Sequence, residues 1–344
     1  RAALPILSTI LLRAHGNQLS MTSTDLELEM IATLPVAVEK EGKTTVSARK
    51  FLDICRALPS NATISFKAQD NKAVVRAGKS RFSLATLAPE DFPDSEGANY
   101  IDEISLPQSA LKSLLDETSF AMASQDVRYY LNGLLLEREG SDLRAVATDG
   151  HRLALGSITT DNTVAEKNNI IIPRKAIMEL GRLLNDTDDM VKLAFSNQQI
   201  KVELPDLHFT TKLIDGQFPN YERVLPLGGD KIVLADREEL KQALSRAAIL
   251  SNDKHRSVRI NLESGLFKAT VTNQEQEVAE EEITVDYEGA SLEIAFNNAY
   301  LLDLLNAIPD DKVKMVFTDD NSSVLITPAD EKLERQYVVM PMRL

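Results

Sequence analysis

Short runs along the chain alternate apolar and polar positions with a period of two. Leu26, Leu28 and Met30 are interleaved with Glu27 and Glu29; Ile200, Val202 and Leu204 with Lys201 and Glu203; and Val313, Met315 and Phe317 follow the same rhythm. This alternation predicts antiparallel strands covered on a single face. A helical spacing appears in three segments that align without a gap: Phe51–Pro59, Ile177–Asn185 and Leu301–Pro309. Each has apolar residues at i, i+1, i+3 and i+7 and a carboxylate at i+2, which predicts an amphipathic helix with one buried stripe. Cys55 lies on that stripe and reads as a small core residue.

The three helical segments are offset by 126 and 124 residues. A second echo, Ser23-Thr24-Asp25, Ala147-Thr148-Asp149 and Val271-Thr272-Asn273, recurs at 124 both times, and Phe92-Pro93 is matched by Phe218-Pro219 at 126. So long a period means three copies of a whole domain, not a solenoid. The boundaries fall at 1–102, 103–230 and 231–344. Each copy is an antiparallel sheet with helices on one face, an α+β arrangement.

Copies two and three open with a further helix. Pro107–Ala123 carries Leu111, Leu114, Leu115 and Thr118, and Asp236–Leu250 carries Leu240, Ala243, Leu244 and Ala247. Asp236 suits the N-cap of the latter, with Glu238 and Glu239 in its first turn. Copy one starts at Arg1, which aligns with Arg128, and copy two opens 24 residues before that point, at Ile104. The alignment therefore predicts a strand and a helix ahead of Arg1, and an apolar face left uncovered in copy one without them.

Composition narrows the class. Of 344 residues 43% are hydrophobic, with no apolar run near the ~20 needed to cross a bilayer, so a membrane role is not expected and a cytoplasmic one is. One cysteine excludes an intramolecular disulfide. His15, His151, His208 and His255 are far apart and lack a second ligand at metal-binding spacing, so no metal or cofactor is expected. The net charge of −14 argues against a surface that adheres to DNA throughout, yet allows positive charge confined to one face.

No nucleotide-cradling, nucleophile-elbow or zinc-protease motif is present. Asp149-Gly150-His151 could pair a carboxylate with a general base, but Gly150 suggests an intervening turn and no nucleophile is evident. Basic and polar residues do recur at equivalent helix starts and strand-to-helix loops of copies one and two: Arg1, Arg49 and Lys50, Gln125 and Arg128, Arg174 and Lys175. They are candidates for contacts to the DNA backbone without sequence reading. An acidic run, Glu275–Glu282 (with Glu277, Glu280 and Glu281), and a basic edge around Arg76, Lys79 and Arg81 could pair head to tail between copies of the chain. Phe82 and Ile249-Leu250 would be the apolar centre of that contact, and a rotation that closes would give a ring.

The stretches Ala48–Pro59, Gln125–Gly133, Ala147–Leu153 and Tyr337-Val-Val-Met-Pro-Met-Arg-Leu344 resemble the bacterial beta sliding clamps, the beta subunits of DNA polymerase III, over essentially the whole chain. The resemblance implies a head-to-tail homodimer, six similar domains in a ring around duplex DNA. Such a clamp catalyses nothing, is loaded by an ATP-driven clamp loader, and tethers polymerase catalytic subunits and mismatch-repair and other proteins through linear motifs, in the nucleoid-containing cytoplasm. It also implies a peptide pocket between the second and third domains. Matching positions are Leu131, Thr148, Gly150, His151, Arg152, Leu153, Pro219, Arg223, Val224, Asn297, Tyr300, Ser323, Val338, Val339, Met340, Pro341, Met342 and Arg343. His255 stands where the pattern has Phe and Asn321 where it has Val, which leaves the peptide preference of the rim open. A clamp relative acting as a decoy or inhibitor-tolerance binder is the alternative, against which the intact C-terminal motif speaks.

Overall fold

The computed structural model describes residues 4–95 and 97–343. Copy one consists of β1 (Thr9–His15), β2 (Gln18–Thr24), β3 (Leu28–Pro35), β4 (Gly42–Ser47), α1 (Ala48–Ala57), β5 (Ser65–Gln69), β6 (Lys72–Ala77) and β7 (Ser80–Ala85). Copy two follows with β8 (Asp102–Pro107), α2 (Gln108–Asp116), β9 (Gly133–Thr148), β10 (Arg152–Pro173), α3 (Arg174–Leu183), β11 (Met190–Phe195), β12 (Gln199–Glu203) and β13 (Leu207–Lys212). Copy three has β14 (Lys231–Asp236), α4 (Arg237–Ala247), β15 (Ser257–Glu263), β16 (Leu266–Thr272), β17 (Val278–Thr284), β18 (Leu292–Asn297), α5 (Asn298–Ala307), β19 (Lys312–Phe317), β20 (Val324–Pro328) and β21 (Arg335–Val339). Among the described residues no helix is long and apolar enough to cross a membrane.

The repeat is visible in the coordinates. Helices α1, α3 and α5 begin at residues 48, 174 and 298, which reproduces the 126- and 124-residue offsets, and each follows directly on a strand. The Ser47 hydroxyl caps α1 by accepting from the Lys50 amide, and the Asn297 side chain caps α5 by accepting from the Ala299 amide.

Two compact units result, residues 1–105 with 190–213, and 106–189 with 214–344. Strand pairing between successive copies produces this division. In the first unit β13 runs antiparallel to β3, Leu207 opposite Ala32 and Thr211 opposite Leu28, within a sheet ordered β4-β1-β2-β3-β13-β12-β11-β8. In the second, β21 runs antiparallel to β10 within the order β14-β19-β20-β21-β10-β9. Two smaller sheets, β5-β6-β7 and β17-β16-β15-β18, belong one to each unit.

The second unit holds two helix pairs. Lys112 of α2 donates to the Gly181 carbonyl of α3 (3.2 Å), and the fully buried Asn298 of α5 donates to the Leu244 carbonyl of α4 (2.9 Å). Leu111, Leu114 and Leu115 on α2 and Leu240, Ala243 and Leu244 on α4 are buried, as their spacing predicts. Asp236 caps α4 through the Glu239 amide (2.9 Å). Both opening helices stop earlier than their apolar patterns. Buried Thr118 bonds back to the Leu114 carbonyl (2.7 Å) at a non-helical φ of −129°, and Ser119–Ala121 continues as a 3₁₀ turn; Ala248–Leu250 does the same after α4.

In copy one α1 has no second helix beside it among the described residues of its unit, and the expected placement of Cys55 in a core is corrected. It is half-buried, Leu52 is 42% exposed, and Ile54 alone of the helix is buried. The equivalent of Cys55 on α5, Leu305, is 1% exposed. Partial burial still pushes the Cys55 thiol above its ordinary pKa.

The Thr-Asp echo is a repeated turn. Between β2 and β3, Thr24 Oγ1 donates to the Leu28 carbonyl and accepts from the Leu26 amide, while Asp25 accepts from the Glu27 and Leu28 amides. Between β9 and β10, Thr148 and Asp149 make the same bonds to Arg152, Gly150 and His151. Both turns need a left-handed residue in second place, with φ of +77° at Leu26 and +89° at Gly150. Leu pays a steric cost there that Gly does not. Leu26→Gly is therefore expected to stabilise the protein by about 1 kcal/mol, seen as a higher denaturant midpoint at unchanged slope.

Candidate functional site

The pocket positions lie in the second unit, around the Thr148–Arg152 turn and the end of β21. Register sets their mutual position: Arg152 faces Val339 and Leu153 faces Val338, while Leu153 faces Thr148 on the other side. Beyond β21 the chain remains extended and is pinned twice, by the Met340 amide to the His151 carbonyl (3.0 Å) and the Met342 amide to the Ala295 carbonyl (2.8 Å).

Leu131, Leu153, Val338 and Val339 are buried, and Leu153 and Val338 belong to one core cluster. Met340 and Met342 stand two residues apart on this extended segment and are 47% and 41% exposed. Flexible, partly exposed thioethers on a pinned backbone suit a surface that adapts to varied side chains. Pro219, Arg223 and Val224 are exposed on and beside the 3₁₀ turn Tyr221–Arg223. Asn297 and Ser323 are half-buried, Pro341 likewise, and Arg343 is exposed.

Arg152 joins the two sides. Its Nε donates to Asp149 (3.2 Å), Nη1 to Asp303 (2.5 Å) and Nη2 to the Phe120 carbonyl (3.1 Å). Its guanidinium also lies 4.4 Å from the Tyr300 ring centre and 5.6 Å from that of Phe120. Such a planar cation between two rings and two carboxylates is a rigid strut. Burial, above all, pushes the Tyr300 phenol above its ordinary pKa. Phe120 and Asp303 were not singled out in the sequence. By spacing alone Asp303 is only the polar member of the helical pattern, and Phe120 part of a longer helix.

Asp149 cannot orient His151 as a base. Its carboxylate already accepts from the His151 and Arg152 amides and from Arg152 Nε. A cleft of about 380 Å³ beside the turn is lined by Phe120, Met122, Asp126, His151, Arg174 and Tyr300 among others, and a larger one of about 530 Å³ lies by Tyr221, Arg144, Lys314 and Arg335. Neither is the methionine-lined surface.

The candidate DNA contacts divide. Arg1 lies outside the described residues. Arg49 and Lys50 occupy the first turn of α1, and Arg174 and Lys175 that of α3. Cations there oppose the helix dipole, so their presence is not explained by helix stability. Arg49 is paired with Asp53 (3.1 Å), and Arg174 donates to the Met122 carbonyl (3.2 Å). Arg128 is more heavily engaged: it forks onto Asp126 (3.0 and 2.9 Å) and reaches the Asp149 carbonyl, holding the Asp126 carboxyl down to about 2. The pairing should therefore survive until pH falls through about 2. Gln125 is exposed at a φ of +56°.

The two predicted edges are sheet edges. Arg81 and Phe82 lie on β7, with Lys79 just before it, at the rim of β5-β6-β7; Glu280 and Glu281 lie on β17 at the rim of its sheet, with Glu277 just before it. Ile249 is 76% exposed and Leu250 half-buried. The sequence did not reveal that Arg246 already forks onto Glu281 (2.8 and 2.9 Å), lowering its pKa, or that Lys268 pairs with Glu280 (3.1 Å).

Three α+β copies that carry an adaptable apolar surface describe a ligand-gathering scaffold. The comparisons specify which. Models of the DNA polymerase III beta subunit match its N-terminal domain at residues 1–96, its central domain at 105–220 and its C-terminal domain at 222–343. The beta sliding clamp of Pseudomonas putida is 50% identical over 345 residues, covering 100% of this chain and 94% of that protein, and that of Escherichia coli K12 is 48% identical with the same coverage. The sliding clamp of Pseudomonas aeruginosa superposes with a TM-score of 0.97 at 48% identity, covering 100% of this chain and 94% of that one. A further structure of that organism's clamp, bound to griselimycin, gives 0.97 at 49%, covering 100% and 93%. The chain belongs to the DNA polymerase III beta subunit family, the bacterial sliding clamps. It is a non-catalytic processivity component of DNA replication.

The turn at the centre of the site depends on Gly150, where a Cβ would stand 2.9 Å from the Arg128 guanidinium. Gly150→Ala is expected to cost roughly 1–3 kcal/mol of stability, measured by thermal or denaturant unfolding.

Proposed function

We propose that the chain acts as a head-to-tail dimer, a ring of six domains bounded near 1–102, 103–230 and 231–344 in each protomer, that retains duplex DNA by topology and gathers its partners at the methionine-lined pocket. The observation that carries the pocket is the Met340–Met342 segment: two exposed methionines on a stretch pinned by backbone bonds to His151 and Ala295, directly after the strand that sets buried Val338 opposite Leu153. The occupants are short linear motifs of polymerase catalytic subunits, the clamp loader and repair proteins. Leu131, Thr148, Gly150, Arg152 and Val339 shape the floor and strut. His151, Pro219, Arg223, Val224, Asn297, Tyr300, Ser323, Pro341 and Arg343 complete the surround.

The net charge of −14 suits this mode of action. A topologically retained protein needs only a mildly positive lining, and Arg1, Arg49, Lys50, Gln125, Arg128, Arg174 and Lys175 supply it without reading bases. Lys50 and Lys175 are both exposed at helix starts, whereas Arg128 forks onto Asp126 within the chain. The β7 and β17 edges join protomers, each edge strand offering backbone groups to the other. Phe82, Ile249 and Leu250 form the apolar centre, and Lys79 and Arg81 face Glu277, Glu280 and Glu281.

Griselimycin, which the Pseudomonas aeruginosa clamp binds, serves as the pocket probe. Met340→Ala with Met342→Ala is expected to abolish its binding in calorimetry while the dimer persists in ultracentrifugation; unchanged affinity would remove the pocket from these residues. Class-averaged electron micrographs should show a six-lobed ring with a central hole. Lys79→Glu with Arg81→Glu should convert rings to monomers, most completely at low salt where screening is weakest. Compact wild-type particles without a hole, or a double variant that dimerises as before, would sink the ring or its charged edge respectively.

A further inference from the structure

The connection from Leu213 to Asp230 is irregular apart from one 3₁₀ turn, and its single buried residue is Tyr221, 6% exposed. Pro219, Arg223 and Val224, the outer members of the pocket surround, all lie on this connection within three residues of Tyr221 and are exposed. The Val224 amide donates to the Tyr221 carbonyl (2.9 Å), so the turn is referred directly to that residue. The Tyr221 side chain is packed in one cluster with Leu153 and Val338, the pocket floor.

The far end of the ring is held as firmly. The Tyr221 hydroxyl donates to Glu137 Oε1 (2.7 Å) and accepts from Arg144 Nη1 (2.9 Å). Glu137 is 3% exposed, and the same oxygen accepts from Arg144 (3.0 Å) and lies 3.2 Å from Lys167 Nζ. A buried carboxylate between two cations is a costly arrangement unless each group is satisfied, and here the phenol completes the set. Neither Glu137 nor Tyr221 belongs to the pocket surface, and the apolar packing of Tyr221 would be served equally by Phe. The hydroxyl fixes direction and depth: it locks the one buried side chain of a connection whose Ile214, Phe218 and Leu225 are only partly buried against the same cluster.

We propose that Tyr221, held by buried Glu137 and Arg144, is a positioning residue for peptide recognition, setting the place of Pro219, Arg223 and Val224 relative to the floor at Leu153 and Val338. The proposal rests on the pocket assignment above. Pre-placing the rim removes an ordering cost from binding, so its loss weakens affinity without removing any ligand contact.

The test is Tyr221→Phe in the full chain, which deletes one oxygen and keeps the packing and the Glu137–Arg144–Lys167 contacts. Griselimycin affinity, measured by calorimetry, is expected to fall about tenfold. Amide exchange in the unliganded protein should speed up over residues 219–225 and remain unchanged in β9, β10 and β21. Affinity within twofold of wild type overturns the proposal. So does a loss of affinity with exchange raised throughout the second unit, which would mark Tyr221 as a general stabiliser. The Met340→Ala, Met342→Ala variant separates the two levels: if it binds griselimycin normally, the pocket reading fails, and if it does not while Tyr221→Phe does, only the positioning role fails.

Discussion

The pairing of β21 with β10 is the constraint on which the site depends. It places the last strand of copy three against a strand of copy two with Leu153 opposite Val338, and a slip of one residue would exchange the faces of every side chain on β21. With the register in place, the Met340 amide reaches the His151 carbonyl and the Met342 amide the Ala295 carbonyl. The buried pairing of Arg335 with Glu117 reinforces this, since it ties the start of β21 to the end of α2, as does the bond from the Tyr337 hydroxyl to the Glu117 carbonyl. Burial pushes the Glu117 carboxyl above its ordinary pKa despite the neighbouring cation. The ionised pair is therefore a device of placement more than of net stability.

Rigidity and adaptability are divided between neighbouring groups. The Thr148–Arg152 turn uses side-chain bonds, a left-handed glycine and an arginine strut to fix the backbone, whereas the two exposed methionines leave the contacting surface soft. The proposed recognition of several partners would use both: a fixed frame limits the ordering cost of binding, and unbranched thioethers accommodate different side chains. The same turn in copy one has Leu26 in place of the glycine and no counterpart of the strut, so one local motif serves as plain connection in one copy and as frame in another.

Much of this was legible from spacing. The helix starts at 48, 174 and 298 follow from the offsets of the apolar pattern, and the α4 cap at Asp236 from local hydrogen-bonding preference. Cys55 is half-buried although its stripe reads as core, because a stripe shows only which face is apolar; the repeat alignment, which predicts an uncovered face in copy one, carries the rest. Tyr221 and Glu137 were invisible because one belongs to an irregular connection and the other to a strand, where period-two patterns leave a carboxylate as readily in water as in a core. The engagement of Arg128 with Asp126 and of Glu281 with Arg246 was likewise hidden, the latter because its partners are far apart in sequence.

What the sequence determined by itself is therefore the local and repeated part: three copies, their strands and helices, and a C-terminal segment specific enough to indicate the family. These depend on periodicity and capping, interactions that span a few residues. Only the tertiary structure decided which strands of successive copies pair, which charges are neutralised within the chain, and which of the candidate pocket residues are buried and which exposed. The pairings and the strut depend on groups brought together from more than a hundred residues apart, as with Arg152 and Asp303 or Glu117 and Arg335, and no local pattern carries that information.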